Sequence, residues 1–178
     1  MVLGNLDYHD WFKASTAALV LSQQELRLLT SLAVHHKRVL KNCNVKQAFV
    51  QSTFPDDEIY FLKPPPGCPR SSSNHYWRLT RSLYGLKWAP RIWFETLCLH
   101  LRSLGLCNSP TSPCLFKGII IPGQPPIYIG IYVDNIIYFS TCDAVERKYE
   151  ELLGWFRLGR IYGAGITFFG NRIRMALS

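Results

Sequence analysis

Between Glu58 and Glu95 the chain has no carboxylate, although Lys63, Arg70, Arg78, Arg81, Lys87 and Arg91 fall in that stretch. The whole chain carries a formal net charge of +8, so this acid-free segment concentrates an already positive field. Tyr76, Trp77 and Tyr84 sit among the bases, a mixture that suits nucleotide stacking with charge neutralisation. An ordinary solvated basic face fits the same composition. Six cysteines, at positions 43, 68, 98, 107, 114 and 142, include no C-x-x-C pair and meet no histidine cluster at ligand spacing, which argues against a zinc site. The N-terminal residues lack a charged region followed by an apolar run. The expectation is therefore no secretory signal, reduced thiols with four of them in the core, and an intracellular location, cytoplasmic or nuclear. Long apolar runs are missing too. The most apolar tract, 127–139, is broken by Asp134 and Asn135 and falls short of the roughly 20 residues a membrane helix requires.

What is present suffices for one core. At 178 residues and 48% apolar content the chain can bury a single sizeable core, but hardly two. Ser22 followed by Glu25 forms a capping-box pattern, and Leu26, Leu29, Leu32 and Ala33 recur at helical spacing, which predicts a helix over 22–36. A β-prone piece at 39–45, a turn at 54–57 and a strand at 58–62 follow, closed by prolines 64–66 and Gly67. Residues 69–74 read as a polar loop. Over 89–104, Pro90 suits a first helical turn, Trp93, Leu97, Leu101 and Leu104 share a face, and Gly105 supplies a stop. Two β-rich runs, 114–121 and 127–133, flank a Pro and Gly turn. A third run, 136–139, follows so closely that Asp134 and Asn135 should form a two-residue hairpin turn, Asx residues being tolerant of positive φ. A last helix should start near Asp143 and turn Val145, Tyr149, Leu152 and Leu153 inward. Beyond Leu153 the periodicity is lost. This order describes an α+β fold, a mostly antiparallel sheet with helices on one face. The domain reading is an irregular lead-in at 1–20, one folded unit at 21–154 and a Gly- and Arg-rich tail at 155–178.

Three blocks, N-V-K-Q-A-F (44–49), S-L-Y-G-L-K-W-A-P-R-I-W (82–93) and Y-V-D-N (132–135), occur in that order. Together they resemble copia-type retrotransposon reverse transcriptases, whose pattern reads D-V-K-x-A-F, S-L-Y-G-L-K-Q-A-P-R-x-W and Y-V-D-D. The middle block is long enough to be specific, whereas the hairpin motif alone would be weak. The likeness covers roughly 21–154. It implies the palm of a right-hand polymerase with partial fingers, acting as an RNA-directed DNA polymerase on an RNA or DNA primer-template and deoxynucleotides. Joining a nucleotide to a primer end places negative charge on attacking, bridging and departing oxygens. Two Mg2+ ions held by carboxylates are the usual answer.

Carried over residue by residue, the three carboxylate positions of the family fall on Asn44, Asp134 and Asn135, so Asp134 is the one metal ligand retained. The resemblance also assigns nucleotide or template contacts to Phe49, Tyr84, Gly85, Lys87, Arg91 and Tyr132. Plainer readings stand beside these: Phe49 as core, Tyr84 as a strand-end aromatic, Lys87 as a solvated charge and Asp134 as a turn residue. An amide keeps the shape of a carboxylate without its charge, so the fold should accept both asparagines while Mg2+ binding and catalysis suffer. A deliberate double change and the decay of a mobile-element copy would leave the same residues. The absence of a thumb and a ribonuclease H region inclines the expectation toward decay. The readings are thus an impaired polymerase, a nucleic-acid-binding or structural remnant without chemistry, or a fragment that folds poorly.

Overall fold

A computed structural model describes residues 19–54, 59–65, 67–68, 75–163, 166–168 and 171–173. Most of the lead-in, the polar loop at 69–74 and turn residues 55–57 lie outside them. The capping box forms as the sequence implies: the Glu25 amide donates to Ser22 Oγ (3.2 Å), and the Ser22 amide donates to Glu25 Oε2 (2.7 Å). With its first amides satisfied, α1 (Gln23–His35) buries Leu26, Leu29 and Ala33 and leaves Leu32 half-buried. Strand β1 (Lys41–Val45) comes next, then a single-turn helix α2 (Ala48–Gln51) entered through Gln47 at φ 53°. Strands β2 (Tyr60–Leu62) and β3 (Trp77–Leu79) pair with each other as a separate two-stranded sheet. Helix α3 (Ala89–Ser103) has Pro90 in its first turn and ends ahead of Gly105, whose φ of 80° reverses the chain as the sequence suggested.

The main sheet follows. Strands β4 (Cys107–Ser109), β5 (Ser112–Gly118), β6 (Ile127–Tyr132) and β7 (Asn135–Ser140) form an antiparallel meander, and helix α4 (Asp143–Leu153) leads to β8 (Leu158–Gly163). The order across this six-stranded sheet is β4-β5-β6-β7-β1-β8. Strands β9 (Ile166–Phe168) and β10 (Asn171–Ile173) pair with each other. The sheet therefore runs past residue 154, because β8 pairs with β1 through backbone groups that need no side-chain period to announce them.

Helices on one face were expected, and the structure places them on both. Leu21 and Leu29 lie over Gly130 on one side of the sheet, where the ring of His36, just past α1, is 6.4 Å from that of Phe139. Tyr138, the next residue along β7, points the other way and meets Tyr149 of α4 with ring centroids 5.0 Å apart. Helix α3 adjoins α4 on that second side, His100 Nε2 lying 3.3 Å from the Leu152 carbonyl. Strand β7 is consequently buried from Ile136 to Ser140 without alternation, the pattern of a strand covered twice. Three cysteines are buried (43, 98 and 114), one fewer than expected; Cys68 and Cys142 are half-buried, Cys107 is exposed and all six are free. Burial pushes the Cys43 and Cys114 thiols up to about 12 and that of Cys98 up to about 11.

Candidate functional site

The central strands carry the three candidate catalytic residues to one spot. In the register of β1 against β7, Asn44 lies opposite Asn135, and in the register of β6 against β7, Tyr132 lies opposite that same Asn135. Directly opposed residues point to one face, so Asn44, Asn135 and Tyr132 form a row across three strands. Asn44 Nδ2 donates to Asn135 Oδ1 at 3.4 Å, and Asn135 Nδ2 donates to Asp134 Oδ1 at 3.3 Å. Below the side chains, the Val45 amide donates to the Asp134 carbonyl at 2.7 Å and ties the strand to the turn. On the other flank, β1 is irregular in its pairing with β8 between Cys43 and Val45, at Asn44 itself. Gly159 passes so close there that a Cβ would lie 3.1 Å from the Asn44 carbonyl oxygen, so a larger residue would need the two strands to part by a few tenths of an ångström.

The turn is built differently from the expected Asp134–Asn135 pair. Asn135 already belongs to β7 and faces Tyr132, which leaves Val133 and Asp134 as the loop, and it is Val133 that adopts positive φ, 54°. A β-branched side chain is strained in that region, so something must hold it there. Trp93 does so: its indole Nε1 donates to the Val133 carbonyl at 2.7 Å from a side chain that is almost wholly buried. Sequence reasoning placed Trp93 only on the apolar face of its helix. The hydrogen bond ties the last residue of the second block to the turn of the third.

The remaining candidates gather around α2 and the start of α3. Phe49 is half-buried and its ring centroid lies 4.7 Å from that of Tyr84, which is 51% exposed. Gly85 and Lys87 are exposed in the segment leading into α3. Arg91 is turned along its own helix, its Nε 2.8 Å from Glu95 Oε1, and its guanidinium carbon is 6.0 Å from the Trp88 ring centre. The nearby β2 and β3 hairpin exposes Phe61 and Trp77, and Tyr76, Arg78 and Arg81 are exposed with them. The basic, aromatic surface inferred from composition is thus a surface in the fold.

A second polar cluster escaped the sequence reading. Glu146 of α4 is 3% exposed, accepts from the Ser140 amide at 3.0 Å and is flanked by Lys41 Nζ at 2.9 Å and Arg38 at 3.3 Å. Lys41 also reaches Glu150 at 2.8 Å, which accepts from the Tyr138 hydroxyl at 2.9 Å, and Arg38 also pairs with Asp143. Burial alone would lower the Lys41 pKa, but its bonds to Glu150 and Glu146 outweigh that and raise it. The i, i+4 spacing of Glu146 and Glu150 was legible; that both face a lysine on a strand over a hundred residues earlier was not.

The described residues thus form an antiparallel sheet whose central hairpin presents an aspartate beside a neighbouring strand, with exposed basic and aromatic side chains around α2, β3 and the start of α3. The comparisons give it a family. The model of the reverse transcriptase (RNA-dependent DNA polymerase) family matches residues 3–171, and the chain belongs to that family. It is 33% identical over 153 residues to the Retrovirus-related Pol polyprotein from transposon RE2 of Arabidopsis thaliana, covering 82% of this chain and 10% of the polyprotein. The corresponding polyprotein from transposon RE1 of the same plant is 33% identical over 132 residues, 74% of this chain and 8% of the polyprotein. A putative transposon Ty5-1 protein of Saccharomyces cerevisiae is 30% identical over 122 residues, 66% of this chain and 39% of that protein. The chain thus spans about a tenth of the RE1 and RE2 polyproteins and is a reverse-transcriptase-like domain of the copia-type retrotransposon kind. Among the described residues no helix is long and apolar enough to cross a membrane.

Proposed function

We propose that this domain binds primer-template nucleic acid and is impaired in nucleotidyl transfer, because Asn44 and Asn135 stand where an active polymerase of the family needs aspartates. The six-stranded sheet then serves as the palm and the β2 and β3 hairpin as part of the fingers, the working unit being residues 21–154 with β8 added. The observation that carries the reading is the donor set at the hairpin. Asn44, Asn135 and Asp134 lie within hydrogen-bonding distance in series, yet they bring one carboxylate among three side chains. Two Mg2+ ions would bring four positive charges, and hard divalent cations are held chiefly by anionic oxygen. The residues present do not fit such a pair. Among the described residues no three His, Cys, Asp or Glu side chains gather as a metal site elsewhere. Loss of metal assistance, worth several kcal/mol at the transition state, corresponds to a rate reduced by ~10³-fold or more.

Phe49 against Tyr84 would then line the nucleotide pocket with Gly85, Lys87, Arg91 and Tyr132, and the exposed bases near β3 would meet phosphates. Primer extension on a homopolymer template with Mg2+ or Mn2+ tests the chemistry. The expected result is little or no extension at nanomolar protein, and ordinary extension would refute it. Binding is tested separately by titrating a labelled primer-template duplex at increasing salt. Affinity should fall steeply as displaced counterions lose their advantage. No binding at low salt would remove the nucleic-acid part of the proposal.

A further inference from the structure

Hydrogen-bond polarity within the Asn44, Asn135 and Asp134 group fixes more than the loss of a metal. Asp134, when ionised, can only accept, so the atom of Asn135 that faces it at 3.3 Å must be the amide nitrogen. The Asn135 oxygen is then turned toward Asn44, and it meets a donor, Asn44 Nδ2, at 3.4 Å. The three side chains thus run donor to acceptor in one direction and end on the single carboxylate, where no like charges face each other. Three carboxylates in the same places would repel across the same gaps and would need a cation to relieve them.

We propose that the two asparagines form an amide clamp that replaces the structural work of a divalent cation. It joins β1 to the hairpin with no metal, so the fold is indifferent to Mg2+. The inference deepens the reading of an impaired site and rests on the same residues, but it concerns the resting structure rather than the chemistry. Two other features serve the same end: the Val45 amide bound to the Asp134 carbonyl and the Trp93 indole bound to the Val133 carbonyl both hold the turn through its backbone.

The test is thermal melting of the parental chain and of the Asn44→Asp, Asn135→Asp double variant, each in chelator and in millimolar Mg2+. The parental melting temperature should be the same in both. The double variant should melt lower in chelator, by on the order of 5 °C for a chain of this size, and recover in Mg2+. A parental chain stabilised by Mg2+ as strongly as the variant, or a variant equal to the parental chain in chelator, overturns the clamp. If the variant does not fold, hydrogen exchange of the Val45 amide in the parental chain decides. Equal protection in chelator and Mg2+ is expected, and slowing by Mg2+ overturns the proposal. Melting is measured without primer or nucleotide, so polymerase activity could refute the impaired-site reading while the clamp stood, and a Mg2+ response could do the reverse.

Discussion

Replacing Glu146 by alanine removes the acceptor on which three elements converge: the Ser140 amide at the end of β7, Lys41 at the start of β1 and Arg38 in the turn before it. Breaking a buried ion pair by deleting one partner commonly costs about 3 to 5 kcal/mol. Here the cations are not stranded, because Lys41 keeps Glu150 at 2.8 Å and Arg38 keeps Asp143, so the charge part of that cost shrinks. The Ser140 amide, by contrast, loses its carboxylate partner in a buried place, which costs about 1 to 3 kcal/mol. Together these give a loss of about 2 to 4 kcal/mol for Glu146→Ala, or a melting temperature lower by roughly 5 to 15 °C. Glu146→Gln keeps an oxygen for the amide and should lose about half as much. Urea titrations followed by circular dichroism measure both. A loss under about 1 kcal/mol for the alanine variant, or equal losses for the two, would refute the reasoning.

Trp93→Phe removes the donor to Val133 and should cost about 1 to 2 kcal/mol while speeding hydrogen exchange in the β6 and β7 hairpin; unchanged exchange there would mean that the indole does not hold the turn. Burial lowers the His100 pKa, with the Leu152 carbonyl partly offsetting it. The unfolded chain therefore binds the proton more readily, and stability is lost as pH falls through the unfolded value of about 6.5. His100→Gln should flatten that part of the pH profile, and an unaltered slope would contradict the assignment. Alkylation of the native chain followed by mass spectrometry should mark exposed Cys107 first and spare Cys43, Cys98 and Cys114, whose buried thiols resist ionisation; early labelling of Cys43 would contradict its burial.

Much of the local architecture was written in short-range signals. Ser22 and Glu25 lie one helical turn apart, so the start of α1 could be read directly, as could Pro90 and Gly105 at the ends of α3. The hairpin was legible because its strands are adjacent in sequence, yet the strained position was misplaced by one residue. Asx tolerance of positive φ pointed to Asp134 and Asn135, whereas pairing of Asn135 with Tyr132 forces Val133 into that role, and a tryptophan forty residues earlier makes the strain bearable. Helix placement failed for a similar reason. The I-I-Y-F run of β7 has no alternation, so it could not say that α1 covers one side and α4 the other. Strand β8 and the two cations of the Glu146 network depend on partners about a hundred residues away, so the local pattern could not reveal those pairings. For the candidate site, the three blocks pointed to residues distant in sequence, and only the register of β1 against β7 could show that Asn44 meets the turn.

One carboxylate among three side chains leaves little negative charge at the hairpin, and Mn2+ binding reports that directly. Electron paramagnetic resonance can count bound Mn2+ on the parental chain and on the Asn44→Asp, Asn135→Asp variant, with no nucleic acid or nucleotide to bind metal in either sample. The variant should retain at least tenfold more metal at equal free Mn2+, whereas parental binding that matches the variant would contradict the claim that two amides leave this site one carboxylate where metal binding needs three.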